Sequence, residues 1–184
     1  MTIRISLLLL LLFFSCKEKN NNNLQSPTEI IKEANDVATI SENYIIQNLK
    51  ISDIKDDNFS LKELVGKKTK LIFRFSDRQC SYCVEHSLRY LKKVEKKIGV
   101  DNIIYIGDFI DKNSYSVFLR LYPNINQKIF SYNKRFYLKV DTLSLPYMFT
   151  LDNNLKAKNV FVPLKEVPQR TNKYIMKVKN EFNK

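Results

Sequence analysis

The chain has 184 residues, 44% apolar and 27% charged, which is material for one domain with a single buried core once a leader and a tether are set aside. Only three Gly occur, which excludes collagenous and Gly-rich repeat architectures. The net charge of +12 raises nucleic acid as a partner, but the lysines (Lys92-Lys93, Lys96-Lys97, Lys177 and Lys179) are dispersed among acids. No nucleic-acid motif accompanies them, so they read as a solvated basic surface suited at most to anionic lipid head groups.

The N-terminus opens with Arg4 and an apolar run from Ile5 to Phe14, too short to span a bilayer, where about 20 apolar residues are needed. It reads as a signal peptide over residues 1–15. Phe13-Phe14-Ser15-Cys16 looks like a bacterial lipobox, with Phe at two positions where Leu and a small residue are usual. That likeness implies cleavage before Cys16 and lipid on its thiol; an ordinary secretory signal with an incidental Cys is the alternative. Residues 16–40 are then a lipidated tether. Its polar start, including Asn20 to Asn23, cannot offset ordering entropy by burial. Ser26-Pro27-Thr28-Glu29 carries cap, first-turn proline and acid for a short helix running towards Ala38.

The compact domain is expected over 41–184. Tyr44-Ile45-Ile46 and Leu49-Lys50-Ile51 suggest short opening strands, and 59–66 a helical turn closed by Gly66. Leu71 to Phe75 is an apolar run broken by one Arg, as in a buried strand. Val84, Leu88, Leu91, Val94 and Ile98 then recur at helical spacing up to Gly99. Ile103 to Ile106 forms a second buried strand, so strand, helix and strand make a βαβ unit with parallel pairing. Tyr115 to Tyr122 is expected as a helix ending before Pro123, Ile129-Phe130 as a strand, and Phe136 to Val140 as a helical turn. Pro146 to Asp152 and Leu155 to Val162 flank Asn153-Asn154, a hairpin turn in which Asn tolerates positive φ. A last helix from about Thr171 to Phe182 buries Ile175, Val178 and Phe182.

The chemistry sits in Cys80-Ser81-Tyr82-Cys83. A strand leads through a short loop into a helix whose first turn holds Cys80, where unpaired N–H groups and the helix dipole favour a thiolate. A thiolate is the attacking species in disulfide exchange, and Cys83, one turn deeper, is placed to resolve the mixed disulfide. A structural zinc site needs about four ligands, and His86 is the only His, so no metal is expected. Covalent haem requires His directly after the second Cys, where Val84 stands. A purely structural disulfide remains open.

Residues from about Phe59 to Val162 resemble the thioredoxin superfamily, specifically extracytoplasmic proteins of the TlpA and ResA kind. The resemblance is carried by Ser60 to Gly66, the Leu71–Phe75 strand, the Cys pair and Pro146-Tyr147-Met148-Phe149-Thr150-Leu151-Asp152. It implies an α/β thioredoxin-like three-layer fold, a central mixed sheet flanked by helices. It also implies a cis Leu145–Pro146 bond beside the cysteines that docks substrate; an ordinary edge or turn proline is the alternative. Two departures stand out. Gln79 replaces the usual Trp before the first Cys, and Arg74 replaces a buried acid that relays protons. Arg74 either favours a Cys83 thiolate or turns to solvent or to Asp77. Ser81, Tyr82 and Gln79 are further candidates for tuning the thiols.

The resemblance implies a thiol–disulfide oxidoreductase acting on protein thiols and disulfides outside the cytoplasm, lipid-anchored and facing the periplasm or exterior. No organic cofactor is needed, since the dithiol carries the electrons. Likeness to the ResA kind tilts the direction towards a reductant fed by a membrane electron donor. Two alternatives are a lipid-anchored binding or assembly module without turnover, and a peroxidase on the same scaffold, for which Cys80 lacks the preceding Thr and Pro.

Overall fold

The computed structural model describes residues 26–123 and 129–182. The expected signal peptide, Cys16 and residues 17–25 of the tether lie outside them. No described helix is long and apolar enough to cross a membrane.

The first helix, α1 (Pro27–Ser41), begins at the capping box read from the sequence: the Glu29 N–H donates to Ser26 Oγ and the Ser26 N–H to Glu29 Oε2. It continues past Ala38 and buries Ala34, Val37, Ala38 and Ser41. Small residues on that face let the helix lie close, so the packed body starts ahead of the boundary expected at 41. The Ser41 hydroxyl donates to the Val37 carbonyl at 2.7 Å and accepts the Val140 N–H at 3.0 Å, fastening α1 to a 3-10 turn over Lys139–Leu143.

The rest of the chain builds β1 (Lys50–Ser52), β2 (Asn58–Ser60), α2 (Leu61–Val65), β3 (Lys70–Ser76), α3 (Ser81–Ile98), β4 (Ile103–Asp108), α4 (Lys112–Leu121), β5 (Ile129–Ser131), β6 (Tyr147–Leu151), β7 (Ala157–Phe161) and α5 (Pro168–Phe182). The described strands form one seven-stranded mixed sheet in the order β2-β1-β5-β4-β3-β6-β7. The pairs β3–β4 and β4–β5 are parallel; β3–β6, β6–β7, β1–β5 and β1–β2 are antiparallel. The βαβ unit around the cysteines is therefore present, with Leu71 opposite Ile103 and Ser76 opposite Asp108.

Alternation along β3 sorts its side chains between two cores. Leu71, Phe73 and Phe75 join Val84, Leu88, Leu91 and Val178 in the core under α3, α4 and α5. Ile72 joins Ala34, Leu61, Phe136 and Phe149 in the core under α1, α2 and the 3-10 turn. Arg74 points the same way as Ile72, because both are even-numbered on one strand. Each fully buried large side chain, such as Phe73 or Ile72, contributes about 1.5–3 kcal/mol.

Three local expectations change. The helical turn expected at Phe136 to Val140 starts later, at Lys139, because Tyr137 takes a positive φ of 62° and breaks the helical path. Phe136 is instead buried in the core. In the turn of the β6–β7 hairpin the positive φ falls on Leu155, at 58°, and on neither Asn153 nor Asn154. Asp152 Oδ1 accepts the N–H groups of Asn154 and Lys156, so the side chain sets the turn while Leu155 is drawn into the core. Among the opening residues Tyr44 to Ile46, only Ile45 makes a sheet bridge, to Lys156.

Within the core under α3, α4 and α5, a group of aromatic rings packs behind the loop that carries the cysteines. Phe75 stacks on Phe118 at 4.8 Å, Phe109 stacks on Tyr115 at 4.5 Å, and Phe75 meets Phe109 edge-on at 5.8 Å. Gly107 makes this possible: a Cβ there would run into the Phe109 ring.

Candidate functional site

The loop between β3 and α3 is built by its own side chains. Gln79 Oε1 accepts the Ser76 N–H at 2.9 Å, and the Gln79 N–H donates to the Ser76 carbonyl. The Asp77 N–H donates to the Asp108 carbonyl, Asp77 Oδ2 accepts the Ile110 N–H, and Arg78 pairs with Asp108 at 2.6 Å. The loop is thus pinned to the end of β4. Gln79 closes the turn that presents the next residue.

That residue, Cys80, is the N-cap of α3, with no side-chain cap of its own, and Cys83 lies in the first turn. Cys80 is exposed and Cys83 half-buried, and both are free thiols. Their environments push them apart. A hydrogen bond from the Cys83 thiol, then the Cys83 backbone N–H, lowers the Cys80 thiol below its ordinary range, with smaller help from the Lys165 ammonium and the Tyr82 N–H. Burial, followed by the bond it donates to Cys80, pushes the Cys83 thiol up to about 11. One sulfur is therefore prepared as a thiolate at the surface and its neighbour holds a proton beneath it.

Lys165 and Glu166 had no signal in the sequence as site residues. They belong to the turn between β7 and α5, more than eighty residues from the cysteines, and the charges of both act on Cys83. Lys165 Nζ lies 5.1 Å from the centre of the Tyr82 ring, and the Arg89 guanidinium lies 5.9 Å from it. Tyr82, half-exposed between the two cysteines, holds Lys165 beside the thiols, while Arg89 stands nearer His86. His86 packs on Tyr90 at 5.0 Å, and burial lowers its pKa. Ser81 takes a different place, on a 360 Å³ apolar pocket with Val84, Val117 and Leu121.

Arg74 takes neither expected arrangement. It is 6% exposed and donates to the carbonyls of Phe75, Ile106, Tyr132 and Lys134, with its guanidinium 5.2 Å from the Phe136 ring centre. It therefore neither turns to solvent nor pairs with Asp77, which holds the Ile110 N–H instead. Nor is it among the charges acting on either thiol. The parity of the strand directs it to the opposite core.

The Leu145–Pro146 bond is trans, and no described peptide bond is cis. Ser144, in the left-handed region at φ 52° and ψ 32°, reverses the chain as it leaves the 3-10 turn, so a trans peptide already delivers Pro146 to β6. Arg74 pairs with Tyr147 across β3 and β6, so the next step of that register sets Pro146 opposite Phe75, near the loop that leads to Cys80. Leu145 and Gln79 line one 440 Å³ cleft.

No protein-family profile and no curated protein sequence matches the chain. Solved structures do. A thiol:disulfide interchange protein from Bacteroides sp. is 14% identical, with TM-score 0.54 over 73% of this chain and 90% of that one. The thioredoxin domain of a thiol-disulfide oxidoreductase from Bacteroides vulgatus is 13% identical, with TM-score 0.53 over 73% and 97%. A peroxidoxin from Mycobacterium tuberculosis is 11% identical, with TM-score 0.55 over 76% and 96%. The mixed sheet, the helices on its two faces and these likenesses agree: the chain has the thioredoxin-like α/β fold.

Proposed function

We propose that the domain is a thiol–disulfide oxidoreductase for protein substrates. The observation that carries this reading is the inequality of the two sulfurs, an exposed Cys80 with a lowered pKa above a half-buried Cys83 held near 11. In the reducing direction the Cys80 thiolate attacks a substrate disulfide, forming a mixed disulfide and releasing one substrate thiolate, which takes a proton. Cys83 then gives up its proton and attacks Cys80 Sγ. The Cys80–Cys83 disulfide forms, and the second substrate sulfur leaves and is protonated. Two electrons and two protons pass to the substrate. A dithiol donor at the membrane restores the pair.

The leader supports a wider setting for the reaction, with the domain held on lipid at Cys16 and facing the periplasm or exterior. Leu145 and Pro146 flank the approach that a substrate strand would use.

Insulin disulfide reduction, driven by a chemical dithiol, tests the central claim. Cys80→Ser should abolish turnover, and Cys83→Ser should leave a covalent mixed disulfide on Cys80. Equal rates for the unmodified chain and both variants would refute enzymatic exchange and favour a binding module.

A further inference from the structure

We infer that the cleft beside Gln79 receives an acidic side chain of the substrate polypeptide, so that disulfides flanked by Asp or Glu are preferred. This rests on the thiol-exchange reading and names the substrate class that reading leaves open.

The cleft, 440 Å³ in volume, runs between the residue before Cys80 and the residue before Pro146, because Gln79 and Leu145 both line it. A polypeptide whose cysteine meets Cys80 can extend its neighbouring residues over this opening, at about 3.3–3.6 Å per residue. The charged groups around the cleft are Arg74, Arg78, Lys134 and Arg135 against Asp108 and Asp141.

Both carboxylates are already engaged from within. Asp108 is held by Arg78 at 2.6 Å, and Asp141 accepts the Tyr147 hydroxyl at 2.7 Å. Each keeps one buried oxygen without a hydrogen-bond partner, and the two acids are outnumbered by the four basic groups. Arg74 donates to four neutral carbonyls and adjoins the Tyr147 hydroxyl, which Asp141 holds, and no described carboxylate forms an ion pair with it directly. A guanidinium held by dipoles and not by a direct carboxylate partner keeps most of its field, and the low dielectric around it carries that field into the cleft. Lys134 and Arg135 are exposed at the mouth, and neither forms an ion pair among the described residues. An incoming carboxylate meets these two first and the Arg74 field behind them. An ammonium meets net repulsion. Complementarity of this kind acts chiefly on encounter and partner choice.

Single-turnover reduction by the pre-reduced full chain provides the test, using two disulfide peptides that differ only in Glu or Lys beside the reactive cysteine. The Glu peptide should react about tenfold faster at low ionic strength, and the advantage should shrink to about twofold in high salt. The double charge reversal K134E/R135E should favour the Lys peptide, and K134Q/R135Q should remove most of the preference. Equal wild-type rates for the two peptides, or a Glu preference that survives charge reversal, would overturn the inference. Cys80→Ser separates the two levels: if it abolishes both reactions while no charge preference exists, only the cleft assignment fails. If it abolishes neither, the exchange reading itself fails.

Discussion

The unequal thiols make a prediction that pH alone can probe. Reducing the disulfide takes two electrons and as many protons as the dithiol binds at the working pH. Because the Cys80 pKa is lowered, the reduced form sheds that proton early, and its thiolate is increasingly favoured as pH rises through the folded value. Cys83, pushed up to about 11, stays mostly protonated until the pH approaches that value. A two-electron couple changes by about 30 mV for each tenfold change in its equilibrium constant, so each proton contributes about 30 mV per pH unit. The midpoint potential should therefore fall by about 59 mV per unit while both thiols are protonated, then by about 30 mV per unit once Cys80 has ionised. The break should lie below the ordinary cysteine range. Equilibration against glutathione from pH 5 to 10.5, in a Cys16→Ser chain so that only the pair reports, would measure it. A single slope of about 59 mV up to pH 10 would refute the stabilised Cys80 thiolate. A slope reaching zero before pH 10 would refute the buried proton on Cys83.

Lys165→Gln should move Cys80 back towards the ordinary thiol range and slow its alkylation at pH 7 about two- to threefold, while Lys165→Arg keeps the rate. Iodoacetamide kinetics read this directly. Arg74→Ala should cost about 3 kcal/mol in denaturant unfolding, because buried carbonyls lose their donor, and Arg74→Lys should recover little, since an ammonium lacks the planar fork. An Arg74→Ala chain as stable as the parent would contradict the packing described. Gly107→Ala should cost about 1–3 kcal/mol by displacing Phe109, seen as a lowered thermal midpoint; an unchanged midpoint would show that the ring moves freely.

The parts of the fold governed by local pattern were legible in the sequence. The apolar run of β3, the helical spacing of α3 and the apolar run of β4 specify the βαβ unit and put Cys80 at a helix start. The capping residues Ser26 and Glu29 announce α1, although its membership of the packed body depends on Ala34, Val37 and Ala38 meeting partners far along the chain. What escaped was set by tertiary contact. Nothing near Lys165 marks it as a neighbour of the thiols, since the β7–α5 turn brings it there. Arg74 looked like a tuning charge because spacing along the strand was legible, whereas its carbonyl partners come from three separate segments. The trans bond at Pro146 follows a left-handed Ser144, a conformation that no local residue preference announced.

The hydroxyl of Ser41 reaches across two distant stretches of chain, and its position has a mechanical meaning. The 3-10 turn that it grips runs directly into Ser144, Leu145 and Pro146. Displacing α1 would therefore act on the segment that leads into β6, through this hydroxyl together with the shared packing of Val37 and Val140.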